Sequence, residues 1–150
     1  MRILIDADGC PVVDETVSLA KEFSLECIIL CDTAHYFNRA GAHTVVLSQG
    51  ADSVDFALVN MVKAGDIVVT QDYGVAAMAL GKGCFCIHQS GRWYTNENID
   101  QLLMERHIAK EARRASSKNH LRGPRKRTKE DDERFEEAFC KLIEKGMEFA

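Results

Sequence analysis

Apolar residues in this chain fall into short runs separated by stretches of helical period. Residues 2–6, "RILID", form an apolar run that ends in a carboxylate. Residues 25–31 ("LECIILC"), 43–47 ("HTVVL"), 66–70 ("DIVVT") and 84–88 ("CFCIH") are four further runs of the fully buried strand kind. Between the first two, Pro11 can open a helix, because its missing N–H has no partner in a first turn anyway. Val12, Val13, Val17, Leu19, Ala20 and Phe23 then supply an apolar stripe to about residue 23. Over residues 51–64, Ala51, Val54, Leu58, Met61 and Val62 share one helix side, and Gly65 ends it. "VAAMALGK", residues 75–82, reads as a short helix that the glycines at 81 and 83 close, and residues 33–40 as a helical turn. Strands alternating with helices predict an α/β fold with a mostly parallel central sheet of about five strands flanked by helices. The near-continuous apolar strands agree, since strands of a parallel sheet are covered on both faces.

The pattern changes after residue 90. "SGRWYT" (90–95) reads as a loop. "NENIDQLLMERHIAKEARRA" (96–115) is helical, with Asn96 or Asn98 as cap. "SSKNHLRGPRKR" (116–127) has no period and is expected to be mobile. "TKEDDERFEEAFCKLIEKG" (128–146) restarts as a helix, with Thr128 as N-cap, Asp131 three residues on, an acidic first turn and Gly146 as a stop. The length of 150 residues suits a single domain, with a core over 1–90 and a helical, basic C-terminal extension over 91–150.

Composition adds three points. Hydrophobic residues make up 46%, enough for a real core, yet no apolar run approaches the ~18 residues of a membrane span. Without signal-peptide features, the expectation is a cytoplasmic protein. Six cysteines, at 10, 27, 31, 84, 86 and 140, include no CxxC pair; they read as buried thiols, Cys10 as a small residue in a tight turn. The net charge of −4 hides a split: residues 105–129 hold ten Lys/Arg against two Glu, a local +8, which leaves −12 for the remainder. Such asymmetry predicts a basic arm that meets a polyanion; a solvated linker is the simpler alternative.

The candidate chemistry is carboxylate. Sites in open parallel sheets form outside the carboxyl ends of the strands. Asp6 and Asp8 end the first strand and Asp72 lies just past the fourth. Asp52 and Asp55, three residues apart, share a helix face before the fourth strand. Asp32, ending the second strand, is a weaker candidate. Gathered carboxylates raise one another's pKa unless a cation offsets them. Mg²⁺ or Mn²⁺ suits such hard oxygen ligands, and Gly9 lets the chain turn away without a side chain in the site. For Asp52 and Asp72 the simpler reading is a helix cap or solvated loop residue. No GxGxxG, GxxxxGK[ST] or GxSxG motif is present, and His35, His43, His88, His107 and His120 show no metal-ligand spacing.

"DADGCPV", "VVTQDYGVAAMALGKG", "YTNENIDQLL" and "GPRKRTKEDDERF" together resemble the bacterial YaiI/YqxD family over nearly the whole chain. That family is grouped with PIN-like and NYN-type domains, many of them Mg²⁺- or Mn²⁺-dependent ribonucleases. The resemblance implies a PIN-like domain in which Asp6 is the acid ending the first strand and Asp72 the acid after the fourth. Asp55, or failing that Asp52, is the acid on the intervening helix. Asp8 and Cys10 belong to this family's own signature.

The implied chemistry is phosphodiester hydrolysis, with RNA the expected partner and substrate. Asp6, Asp8, Asp55 and Asp72 would be catalytic, and the same four with Asp52 would hold Mg²⁺ or Mn²⁺. Arg106, Arg113, Arg114, Arg125, Lys126 and Arg127 would bind phosphates. Trp93 and Tyr94 either stack on a base or pack under a loop. A second reading is a haloacid-dehalogenase-like phosphatase, since "ILIDADG" resembles its opening motif with Asp6 as nucleophile and Asp8 as general acid. Against it, Cys10 stands where Thr or Val is usual, and "TQDYG" lacks a second acid. A third reading is a non-catalytic nucleic-acid-binding module.

Overall fold

The computed structural model describes residues 1–50, 52–115 and 125–149. Strands β1 (Arg2–Asp6), β2 (Glu26–Asp32), β3 (His43–Leu47), β4 (Ile67–Val69), β5 (Phe85–Ile87) and β6 (Trp93–Tyr94) form one sheet in the order β3-β2-β1-β4-β5-β6. The first five run parallel and β6 returns antiparallel. The helices are α1 (Val13–Glu22), α2 (Ser53–Met61), α3 (Tyr73–Gly81), α4 (Ile99–Ala115) and α5 (Lys129–Glu148).

Successive side chains of a strand point to opposite faces, and here each face is covered. Ile3, Ile5, Cys27, Ile29, Cys31, Ile67, Val69 and Ile87 face α1 and α5. Leu4, Ile28, Leu30, Val68 and Cys86 face α2, α3 and α4. Two-sided burial is why these strands read as unbroken apolar runs rather than alternating ones. Helix α5 delivers Phe135 and Phe139, both fully buried and stacked with ring centroids 5.2 Å apart, onto the first face. All six cysteines are free thiols, four of them buried.

Several element boundaries differ from expectation. The "WY" of the anticipated loop is β6, because Cys86 and Ile87 of β5 offer an edge that Tyr94 and Trp93 pair with. Residues 33–40 form a turn and irregular chain rather than a helical turn. Helix α2 is two residues shorter at its start and ends at Met61, before Gly65, because Val62 is extended and buried in the core. Residue 51 lies outside the described residues. Helix α5 runs past Gly146 to Glu148; this glycine lies against Met1, whose Cε would be 2.5 Å from an added Cβ. The Thr128–Asp131 capping box is present as the spacing predicts. Before α4 the cap is a reciprocal pair: the Thr95 N–H donates to Asn98 Oδ1 (2.9 Å) and the Asn98 N–H to Thr95 Oγ1 (3.2 Å). Of the stretch 116–127, residues 116–124 lie outside the described residues. No helix among the described residues is long and apolar enough to cross a membrane.

Candidate functional site

Strand order reverses between β1 and β4, and in open α/β sheets the crevice outside the carboxyl ends at such a reversal is where ligands bind. A cleft of about 410 Å³ opens there. Asp6, Asp8, Asp52, Asp55 and Asp72 line it together with Asp32, Gln71 and Arg106. The five acids read from the sequence as metal ligands are therefore brought to one cleft. Of the six expected phosphate-binding residues, Arg106 alone lines it.

Thr70, the last residue before the turn into α3, organises the centre. Its hydroxyl donates to Asp6 Oδ2 (2.8 Å) and accepts from the Asp72 N–H (3.0 Å). Its carbonyl accepts from the buried Tyr94 hydroxyl (3.1 Å). Thus one residue sets the relative position of the acids from β1 and from the β4–α3 turn, and β6 holds that residue in place. Asp72 caps α3, accepting from the N–H groups of Gly74 (2.8 Å) and Val75 (3.1 Å), and Arg106 Nη1 lies 3.5 Å from the same oxygen. The cap reading and the site reading of Asp72 are compatible, since the second carboxylate oxygen makes none of these contacts.

Asp52 differs. It is the N-cap residue of α2 by position but makes no side-chain cap bond, and its φ of +68° is left-handed. A non-glycine residue held there is backbone strain of the kind found near ligand sites. One turn on, Asp55 faces the same cleft.

The electrostatics follow from the crowding. Asp6 is buried, and burial pushes its carboxyl up to about 6, with Asp55, Asp72 and Asp8 adding to the rise and the Thr70 hydroxyl opposing it. Asp55 is raised for the same reasons, by burial first and then by Asp72, Asp52 and Asp8, with Arg106 opposing. Asp8 Oδ1 is buried and has no hydrogen-bond partner, although the side chain as a whole is part-exposed. The turn after it needs Gly9, whose φ is +71° and whose added Cβ would come within 2.8 Å of Gln71 Nε2. That amide donates instead to the Asp8 carbonyl (3.1 Å), so the turn is tied to β4.

At the rim, Asp32 Oδ1 accepts from the Ala34 N–H (2.9 Å) and lies 3.0 Å from His35 Nδ1. Burial raises this carboxyl, but the His35 and Ala34 contacts together outweigh it and hold Asp32 below the usual carboxylate range. His35 Nδ1 is also 3.7 Å from Asp8 Oδ1, and one ligand atom each from Asp8, Asp32 and His35 lie within 4.8 Å of one another. The absence of His spacing in sequence concealed this group, because its members come from two strand ends and a turn.

Other expected residues are engaged elsewhere. Arg125 pairs with Asp131, and Arg127 pairs with Asp132 and donates to the Gln89 carbonyl (2.8 Å). These contacts hold part of the basic run to the first turn of α5. Lys126 is exposed, and Arg114 pairs with Glu111 at 3.6 Å. Tyr94 is 3% exposed and Trp93 Nε1 donates to the Ala138 carbonyl (3.0 Å), so both pack rather than offering a free stacking surface. Cys10 packs on the α1/α5 side, with burial pushing its thiol up to about 11, which suits a turn filler. Thr70, Gln71 and His35 were not legible as site residues; the one signal was a polar "TQ" between an apolar strand and Asp72.

A family model described as "Uncharacterized BCR, YaiI/YqxD family" matches residues 4–145, nearly the whole chain. The chain belongs to the YaiI/YqxD family. A UPF0178 protein of Clostridium acetobutylicum is 61% identical over 146 residues, covering 97% of this chain and 99% of that one. UPF0178 proteins of Exiguobacterium sibiricum (54% over 143 residues; 95% and 96% covered) and Lachnoclostridium phytofermentans (49% over 144 residues; 95% and 97%) are similar along their full lengths as well. No solved structure matches the chain. The matched stretch includes "DADGCP", which carries two of the five clustered acids, the tight Gly9 turn and the part-buried Cys10.

Proposed function

We propose that the acidic cleft is the centre of a Mg²⁺- or Mn²⁺-dependent phosphodiester hydrolase of PIN-like type, acting on RNA. The observation that carries this reading is the convergence of Asp6, Asp8, Asp55 and Asp72 at the β1/β4 reversal, with Asp6 held well above its ordinary pKa by burial and by its neighbours. Carboxylates arranged at such a cost to the fold are characteristic of a site that takes a cation. The donor set fits a hard divalent ion: all are carboxylate oxygens, and Asp8 Oδ1 is a buried acceptor with no donor. Asp6, Asp8, Asp55 and Asp72 would hold the ion, with Asp52 at the edge.

A bound divalent ion supplies a water of lowered pKa and offsets charge on the leaving oxygen. The chain's own residues do the rest. Thr70 fixes the orientation of the Asp6 carboxylate. The α3 N–H groups fix Asp72. Arg106, on the open side of the cleft, binds a non-bridging phosphate oxygen. The exposed Lys126 is a further basic residue for the phosphate backbone, and salt weakens such contacts because each neutralised phosphate releases counterions.

The test is incubation of purified protein and Mn²⁺ with a labelled single-stranded RNA and, separately, with a small phosphomonoester. Internal cutting of RNA, lost at least about a hundredfold in Asp6→Asn, is expected. Calorimetric titration should show Mn²⁺ binding that Asp72→Asn weakens. Hydrolysis of the monoester with phosphoryl trapped on Asp6 would instead establish the phosphatase. Metal binding without either activity would leave a binding module.

A further inference from the structure

A second cavity of about 380 Å³ abuts the acidic cleft, and Gln71 and Arg106 line both. Its chemistry is different. Where the cleft presents carboxylates, this cavity presents two guanidinium groups, Arg106 and Arg113, and two aromatic rings, Tyr73 and His88, with Glu105 as its single acid. The basic wall follows from helix geometry: Arg106, Ala109 and Arg113 stand on one face of α4, and the small Ala109 leaves room between the two long side chains. Arg106 already leans on Asp72, whereas Arg113 is exposed and, among the described residues, has no carboxylate within ion-pair reach.

The aromatic wall is built rather than incidental. The rings of Tyr73, His88 and Tyr94 meet edge to face, at 6.3 Å, 5.7 Å and 6.1 Å between centroids. Tyr94 is fixed by its bond to the Thr70 carbonyl, so this wall is rigidly joined to the residue that positions Asp6 and Asp72. The Ser90 N–H donates to His88 Nδ1 (3.0 Å), which makes Nδ1 an acceptor and places the ring proton of the neutral form on Nε2. Burial first, then Arg92 and Arg127, push this imidazole below its ordinary pKa, which favours the neutral ring. A neutral ring with one N–H donor, beside a phenol and two guanidinium groups, matches a flat base and its phosphate. The volume lies in the range of small-ligand sites.

We propose that this cavity seats a nucleotide of the strand whose adjoining phosphate occupies the acidic cleft, with its base against Tyr73 and His88 and its own phosphate on Arg113. The assignment rests on the hydrolase reading above, and its test is arranged to fail separately. Binding of a short labelled single-stranded RNA to the full chain is measured by anisotropy in EDTA, where no cutting occurs. Arg113→Gln and His88→Ala should each weaken binding at least about fivefold, as loss of a stacked base or a phosphate contact does. Lys141→Gln, on the exposed face of α5, serves as control. The His88→Ala effect should vanish on an RNA lacking bases, and the Arg113→Gln effect should persist there. Circular dichroism checks that each variant is folded, and Tyr73→Phe, which keeps the ring, should bind as wild type does.

Binding by Arg113→Gln and His88→Ala within twofold of the control would overturn the proposal. So would displacement of the RNA by an equal concentration of adenosine monophosphate, which would assign the cavity to a free nucleotide. If these variants lose binding while no protein cuts RNA with Mn²⁺, the cavity assignment stands and the hydrolase reading falls. If both variants bind and cut RNA normally, the reverse holds.

Discussion

Two buried aspartates sit at opposite ends of adjacent strands, and the fold treats them in opposite ways. Asp66 precedes β4 at the amino end of the sheet. It accepts from the Arg2 N–H (3.1 Å), from Arg2 Nη2 (2.7 Å) and from the Lys63 N–H (2.9 Å). Despite the cost of burial, these donors hold its carboxyl below the ordinary value of 3.8. Asp6 ends β1 at the carboxyl end of the sheet. It receives one hydroxyl donor and faces three other acids, and its carboxyl stands at about 6. Both residues are nearly inaccessible, at 3% and 6% exposure, so burial alone does not separate them. What separates them is the supply of donors. Asp66 is surrounded by positive and N–H groups; Asp6 is left wanting them, as the proposed cation site requires.

Removing each carboxylate should therefore change stability in opposite directions. Asp66→Asn leaves the Arg2 guanidinium part-buried beside a neutral amide and should cost about 3 kcal/mol at pH 7, seen as a lower urea midpoint. Because the folded carboxyl is depressed, its contribution is present above the ordinary carboxylate range and is lost as pH falls below it. The gap between wild type and Asp66→Asn should accordingly narrow below about pH 4.

Asp6→Asn should stabilise the metal-free protein by about 3 kcal/mol at pH 7. Here the folded carboxyl is raised, so wild type is fully stabilised below the ordinary value and loses stability as pH rises through about 6. The advantage of Asp6→Asn should be absent at pH 3.5 and complete at pH 7.5, measured by urea unfolding in EDTA. A variant less stable than wild type at pH 7.5 would break the contrast with Asp66.

Thr70→Val should have the smallest effect, about 1 kcal/mol of destabilisation from the lost hydroxyl. It removes the one donor that opposes the rise at Asp6, so the Asp6 titration, followed by carboxyl carbon NMR, should move above its wild-type position. An unchanged titration would mean that the hydroxyl does not tune that carboxylate.

Which parts of this contrast were legible in the sequence follows from the range of the interactions. Asp6 and Asp8 stood out because an apolar run ends on them, and Asp55 because it shares a helix face with Asp52. These are local patterns. The pairing of Arg2 with Asp66 spans 64 positions, as does that of Thr70 with Asp6, and no periodicity reports it. Strand β6 was hidden for a related reason: two residues carry no alternation, and "WY" becomes a strand through the free edge of β5. The basic residues near 125 were legible as charge but not as partners, since Arg125 and Arg127 meet the acidic first turn of the helix that follows them. The simpler reading of Asp52, a helix cap, follows from its residue type, and the left-handed backbone at that position denies it the cap bond.

The position of α5 has a consequence for synthesis. Strand β1 leaves the ribosome before the other strands of the sheet, and one face of it, Ile3 and Ile5, is completed by Phe135, Phe139 and Ile143 from α5, which is made after the other four helices described. Until then α1 alone shields that side, and a nascent chain carries an apolar surface through most of its translation. Such surface invites aggregation and is what chaperones bind. Stop codons or ribosome stalls before residue 135 should therefore yield insoluble product, although every acid of the cleft has already been translated.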